Sequence, residues 1–221
     1  MKPNLIQIEN VSFSYQGGTP VLEGLNLEIK KNRLIIVNGE SGAGKSSLLK
    51  LLNRFNDVTS GRIVFNNKEI SEYRIDELRK AILYLPQIPY TLDGTIEDNL
   101  TFPYLFHIHK DKKYDADKAG EWLDYFQLNL PVNHEALKLS VGQRQRIALI
   151  RAMLLKSEVL LLDEPCSALD SANRKLIEQK IESLIDAREI TVIMATHSKV
   201  SFPNICPQYF KLSDRKLLLT A

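Results

Sequence analysis

Residues 5–15, LIQIENVSFSY, place Ile6, Ile8, Val11, Phe13 and Tyr15 near a period of two, with one slip at Asn10. That pattern predicts a half-buried strand interrupted by a bulge. Gly17-Gly18 makes a turn, and Val21, Leu25, Leu27 and Ile29 continue a strand pattern beyond it. With RIVFN at 62–66, these segments predict an antiparallel sheet near the N-terminus. A second kind of pattern follows. LIIV at 34–37, VLLL at 159–162 and TVIMAT at 191–196 are short, almost unbroken apolar runs. Such runs suit parallel strands covered on both faces. Helical spacing follows two of them. One helix starts at Lys45, and the other spans about 171–188 with Ile177, Ile181, Leu184 and Ile185 on one face. Strand–helix alternation of this kind predicts a parallel sheet.

Between these groups lies a helical insertion, about 88–155. Ala119, Trp122, Leu123 and Phe126 share one helix face, and Ile147, Ile150, Met153 and Leu154 share another. The end, YFKLSDRKLLL, predicts a hairpin around Ser213-Asp214. The 221 residues are read as one domain. Its core comprises about 1–87 and 156–221, and its helical subdomain about 88–155. Apolar residues make up 44% and charged residues 25%, which is ordinary globular composition and excludes wholesale disorder or a disulfide scaffold. Twenty-nine basic against 27 acidic residues leave a net charge of +2 with no basic block, so nucleic acid is not the expected partner. Cys166 and Cys206 stand 40 positions apart and have no metal-ligand spacing, which points to a reducing cytosol with both thiols free. No apolar run approaches bilayer length, and the start lacks a signal-type segment. A chain soluble by itself, meeting a membrane through a partner, is the expectation.

The strongest chemical motif is GESGAGKS, Gly39 to Ser46, directly after the strand 34–37. It fits G-x-x-x-x-G-K-[ST] in the strand–loop–helix context that a phosphate loop requires. Glycines permit left-handed backbone angles, so successive N–H groups can turn inward on phosphates. Lys45 reaches the β and γ phosphates, and the Ser46 hydroxyl holds Mg²⁺ in this reading. VLLLDEP at 159–165 ends a buried strand in Asp163 and Glu164. Ligands of open α/β sheets bind beyond the carboxyl ends of strands, so both acids land beside the phosphate loop. Asp163 suits the outer shell of Mg²⁺, and Glu164 suits a base or a positioner for attacking water. The third strand ends at Thr196-His197, where His197 can donate to a γ-phosphate oxygen.

Between these motifs comes LSVGQRQRIALIRAML, 139–154, which resembles the signature of the ABC-type ATPases. Tyr15, the phosphate loop, Gln87 in YLPQ, the signature at 139–143, Asp163-Glu164, SALD at 167–170 and His197 follow the family's order along nearly the whole chain. The resemblance implies a phosphate-loop α/β core with a parallel sheet, an N-terminal antiparallel β subdomain and a helical subdomain. It implies ATP and Mg²⁺ as ligands. The nucleotide set is Tyr15 stacking on adenine, the loop residues Gly39, Glu40, Ser41, Gly42, Ala43, Gly44, Lys45 and Ser46, and the following Ser47. Gln87 would contact Mg²⁺ and the attacking water and sense a membrane partner. Ser140 and Gly142 would bind the γ-phosphate held by a second copy in a head-to-tail dimer, and Asp170 would cross that interface. An integral membrane permease is the implied partner, met at the cytoplasmic face.

Val141 stands where the family's commoner signature has its first glycine, so it must hold a backbone angle that suits a β-branched residue. Cys166 is read as a small apolar group, and His107 and His109 as diverging side chains rather than metal ligands. Ile88, Tyr90, Phe102, Tyr104 and Phe106 are candidates for a hydrophobic docking patch. QIPYTLDGTIEDNL resembles the loop after the glutamine in exporter cassettes, although the acidic stretch that exporters carry before the signature is missing. Together with NLTFPYLF it is similar to the ATP-binding subunit assigned to bacterial iron export. Importers of phosphate or amino-acid type and non-transport ATPases of this family are the alternatives.

Overall fold

Alternation sets the first sheet. The computed structural model describes residues 4–220. Strand β1, Ile6–Ser14, turns Ile6, Ile8, Val11 and Phe13 inward. Its pairing slips between Ile8 and Val11, where Asn10 takes φ 50° and donates its N–H to Asn26 Oδ1 at 3.0 Å. This is the bulge that the slip in period predicts. β1 pairs antiparallel with β2, Pro20–Ile29, on one side and with β4, Ser60–Phe65, on the other. The short β5, Lys68–Glu69, completes a four-stranded sheet in the order β2-β1-β4-β5.

The second sheet has six strands in the order β10-β9-β3-β8-β7-β6. Its centre is β3 (Leu34–Asn38), β7 (Val159–Asp163) and β8 (Thr191–Thr196). All three apolar runs are buried because each face of the sheet has its own cover. Ile35 and Val37 join a cluster with the first sheet and helix α1, Lys45–Leu52. Leu34 and Ile36 face the opposite cluster, built on helices α5, Val141–Leu154, and α6, Ser171–Asp186. Each such side chain contributes about 1.5–3 kcal/mol when fully buried.

Three strands of this sheet escape the pattern of apolar runs. β6, Ile82–Leu85, pairs parallel with β7 at the sheet's edge, where only Ile82 and Leu85 are fully buried. It follows helix α2, Ile75–Ala81, without a break, so neither period is long enough to be read. β9, Gln208–Ser213, and β10, Lys216–Thr220, form the expected terminal hairpin. β9 also enters the main sheet beside β3, in parallel.

The insertion contains α3, Ile96–Thr101, 3₁₀ turns at Phe102–Leu105 and His107–His109, and α4, Ala116–Tyr125. α5 buries the four anticipated residues Ile147, Ile150, Met153 and Leu154, and more. It is buried on every side from Gln145 to Ile150, because α3 and α4 pack on one side and β6 on the other. α6 ends two residues earlier than expected, buries Ile177, Ile181 and Ile185, and leaves Leu184 half-buried. It also buries two acids, Glu178 and Glu182. Glu182 accepts from the N–H of Asn204 at 2.6 Å and from its amide at 2.9 Å, tying down the segment after β8. Among the described residues no helix is long and apolar enough to cross a membrane.

Candidate functional site

The phosphate loop connects β3 to α1. Gly44, at the N-cap of α1, has φ 103°, and a Cβ there would lie 2.9 Å from Val21 Cγ1. Only glycine meets both demands. Without a capping side chain, the first N–H groups of α1 stay free for a ligand, and no acid stands in its first turn. Lys45 is buried to 7% exposure and donates Nζ to Gly39 O at 2.8 Å and Glu40 O at 2.9 Å. The same Nζ lies 3.9 Å from Glu164 Oε1.

The buried acid strand ends beside this loop. Asp163 Oδ1 accepts from Ser46 Oγ at 3.0 Å, and Oδ2 accepts from the Tyr84 hydroxyl at 2.8 Å. Burial, then the Asp163 carboxylate, pushes the Tyr84 phenol well above its ordinary pKa, so it stays a donor. Glu164 turns the chain at φ 48°. Its N–H donates to Ala195 O at 2.9 Å, and its own carbonyl accepts from Gln145 Nε2 at 3.1 Å. Its Oε1 accepts the His197 N–H at 2.9 Å and lies 2.7 Å from His197 Nδ1, while Oε2 accepts from Thr196 Oγ1 at 3.1 Å. The Nδ1 contact with Glu164 Oε1 fixes the ring and leaves Nε2 without a partner on the carboxylate. Three of the four polar contacts to the Glu164 carboxylate thus come from the Thr196-His197 segment, and Lys45 supplies the fourth.

These groups line a cleft of about 500 Å³. Tyr15, Ser41, Gly42, Gly44, Lys45, Ser46, Ser47, Gln87, Asp163, Glu164 and His197 all border it. The Tyr15 hydroxyl lies 3.1 Å from Ser47 Oγ, and its half-exposed ring meets Phe13 edge-on at 4.8 Å. Gly39, Glu40 and Ala43 belong to the loop but do not line the cleft. A second cleft of about 520 Å³ lies at the opposite, amino end of β3 and is bordered by none of the anticipated residues. The oxygen set Ser46–Asp163 suits a small hard cation shared with phosphate. Together with Lys45 and the free helix N–H groups, it fits ATP with Mg²⁺.

Ser140, Gly142 and Asp170 are not brought to the cleft. Ser140 caps α5: its Oγ accepts from Gln143 N–H at 3.2 Å, and Gln143 Oε1 accepts from Ser140 N–H at 2.8 Å. Asp170 caps α6 by accepting from the Asn173 N–H and side-chain amide, each at 2.8 Å, which holds its carboxyl below the usual range. Gly142 is packed so closely that a Cβ would lie 3.0 Å from Leu169 Cδ2. Val141 sits at the first helical position with negative φ, half-exposed, where a β-branched residue is unstrained.

Tyr84, Thr196 and Gln145 were not singled out by the sequence reading as site residues. For Tyr84 one signal exists, a lone phenol in the apolar segment 82–85 just ahead of Gln87. Cys166 is buried, and desolvation pushes its thiol up to about 12, so it is inert packing. Among the described residues no group of three or more His, Cys, Asp or Glu could hold a metal ion. Of the apolar patch, Ile88, Tyr90 and Phe106 are exposed, together with Leu105, which was not anticipated. Phe102 lies edge-on to Phe106, and half-buried Tyr104 donates to Leu154 O at 3.2 Å.

A family model described as ABC transporter matches residues 22–167. The lactococcin-G-processing and transport ATP-binding protein LagD of Lactococcus lactis subsp. lactis is 35% identical over 216 residues, covering 95% of this chain and 30% of its own. Among solved structures, cbiO1 from Clostridium perfringens, part of the ABC transporter complex cbiONQ, superposes with a TM-score of 0.82 at 27% identity, covering 98% of this chain and 87% of that one. A bacterial Atm1-family ABC exporter with ATP bound gives 0.85 at 25% identity, covering 98% of this chain and 39% of that one. The chain spans between 15% and 38% of the length of the curated relatives it matches.

Proposed function

The chain belongs to the ABC transporter family, and from that premise we propose that it binds Mg²⁺ and ATP in the cleft at Lys45 and hydrolyses ATP to drive transport. The observation that carries this reading is the 3.0 Å hydrogen bond from Ser46 to Asp163, with Lys45 3.9 Å from Glu164. It joins the phosphate-binding loop to the acidic strand end that the chemistry needs. Mg²⁺, taken by Ser46 and Asp163 within reach of Gln87, would supply charge neutralisation on the phosphates. Lys45 would exchange the Gly39 and Glu40 carbonyls for phosphate oxygens, and Tyr15 would present its ring to adenine. Glu164, fixed by Thr196 and His197, would orient water or take its proton. His197, oriented by the Glu164 contact at Nδ1, would donate an Nε2–H to a γ-phosphate oxygen.

Ser140, Gly142 and Asp170 lie off the cleft, and a head-to-tail second copy would bring them to the opposite site. We read the 221 residues as one such domain, with its core at about 1–87 and 156–221 and its helical subdomain at about 88–155. Separate permease subunits would receive the exposed Ile88, Tyr90, Leu105 and Phe106 patch at the cytoplasmic face of the membrane. Export is favoured by the likeness of residues 87–100 to exporter cassettes, and iron as the cargo rests on the resemblance of that stretch together with NLTFPYLF to the cassette of a bacterial iron exporter. Import of phosphate or an amino acid, and a non-transport role, are the competing readings. Mg²⁺-dependent phosphate release from ATP by the purified chain tests the core of the proposal. Failure to bind or cleave ATP at any protein concentration overturns it. Copurification with an integral membrane protein separates transport from soluble roles.

A further inference from the structure

We propose that Tyr84 is a positioning residue for Asp163, holding one carboxylate oxygen so that the other is presented to Ser46 and to a divalent cation bound there. This inference rests on the nucleotide-site reading above. Asp163 is 4% exposed, and its two oxygens are held by donors from two different elements, Ser46 on α1 and Tyr84 on β6. The terminal torsion of an aspartate is broad, so a carboxylate bonded at one oxygen can swing. Bonds at both oxygens fix its plane.

The phenol is itself held in place. The Tyr84 ring meets Phe55 edge-on at 5.8 Å, and the Arg79 guanidinium lies 4.2 Å from the centre of the Phe55 ring. Arg79 in turn donates to Asn53 O at 3.3 Å and Arg54 O at 2.9 Å, so the turn after α1 and helix α2 are tied together behind the tyrosine. Filling space at this edge position asks only for an apolar side chain. A hydroxyl spent on the buried acid of the site does more. The Ser46 hydroxyl donates its proton to Oδ1, which leaves its lone pairs for a cation. The oxygen pair is therefore already arranged before any cation enters, and Tyr84 supports it from behind. Partners of this outer kind commonly change metal affinity by roughly 10–100-fold when removed.

Tyr84→Phe keeps the ring and its Phe55 contact and removes only the hydroxyl. Mn²⁺ is the probe, followed by electron paramagnetic resonance during titration of the full chain with ADP or a non-hydrolysable ATP analogue. The variant should need roughly tenfold more Mn²⁺ for half-saturation, with unchanged affinity for the nucleotide in the absence of divalent cation. In an Asp163→Asn background the same change should have almost no further effect, because its route runs through Asp163. Equal Mn²⁺ half-saturation in wild type and variant overturns the role of Tyr84 alone. So does an equal loss of metal-free nucleotide affinity, which marks a general disturbance of the cleft. A wild-type chain that takes up no Mn²⁺ with nucleotide overturns the site reading and this inference together.

Discussion

Glu164 shows how much of this site is decided by single side chains. Its backbone stands in the left-handed region, uncommon for a residue with a Cβ, and its carboxylate accepts from Thr196 and from His197. Glu164→Gln keeps an acceptor for those donors but removes the charge and the basic oxygen. ATP should still bind, while phosphate release falls by about 10²-fold or more; a turnover assay beside equilibrium nucleotide binding checks both halves. Lys45→Ala removes a buried cation facing the phosphate cleft, so nucleotide affinity or turnover should fall roughly ten- to a hundredfold. Unchanged values for both would contradict the phosphate-loop assignment. Val141 is the opposite kind of residue, half-exposed and unstrained at the start of α5. Val141→Gly should leave ATP turnover near wild type and cost about 0.5–1 kcal/mol in denaturant unfolding, from the added freedom of the unfolded backbone.

Helix α5 raises a question that belongs to the element. Its cap, Ser140, accepts from Gln143 N–H and so serves its own helix. A hydroxyl that accepts one bond still has its proton to give, so capping and contact with an anion are compatible. Ser140→Ala should therefore cost about 1 kcal/mol of stability through the lost cap, whatever else Ser140 does. If it also serves the second copy's site, the variant should bind Mg·ATP normally and hydrolyse it poorly. Mixing it with Lys45→Ala, whose Ser140 is intact, should restore part of the activity by assembling one complete composite site. No recovery on mixing, with full activity in Ser140→Ala alone, would leave only the cap. The anticipated face of α5 is buried, and from Gln145 to Ile150 the helix is buried beyond that face as well. An amphipathic count assumes a single neighbour, and this helix has the insertion on one side and β6 on the other.

At the scale of the whole molecule, Ser140, Gly142 and Asp170 lie away from the cleft, and the proposed shared site carries the expectation that hydrolysis depends on association. Specific activity should rise with protein concentration and level off once pairs form; a flat profile across the association range would argue against a shared site. The buried acid Glu178 bears on stability instead. Burial raises its pKa above the ordinary carboxylate range, Ser201 N–H and Arg174 pull it back, Glu182 adds to the rise, and its Oε1 has no hydrogen-bond partner among the described residues. A raised folded pKa gives stability that is full below the unfolded value and is lost as pH rises through the folded one. Glu178→Gln should thus raise the melting temperature at pH 8 and have little effect near pH 4; the reverse order would refute the cause. The phosphate loop, the acid strand end, His197 and the three central strands were legible in the chain itself. Each is a local pattern of short period or fixed spacing, set by steric rules and hydrophobic alternation. The parallel docking of β9, the edge strand β6, and the bond from Tyr84 to Asp163 were not, since positions 84 and 163 share no local pattern. Hydrogen bonds across such distances in sequence depend on how strands stack in the sheet, and only the folded chain decides that.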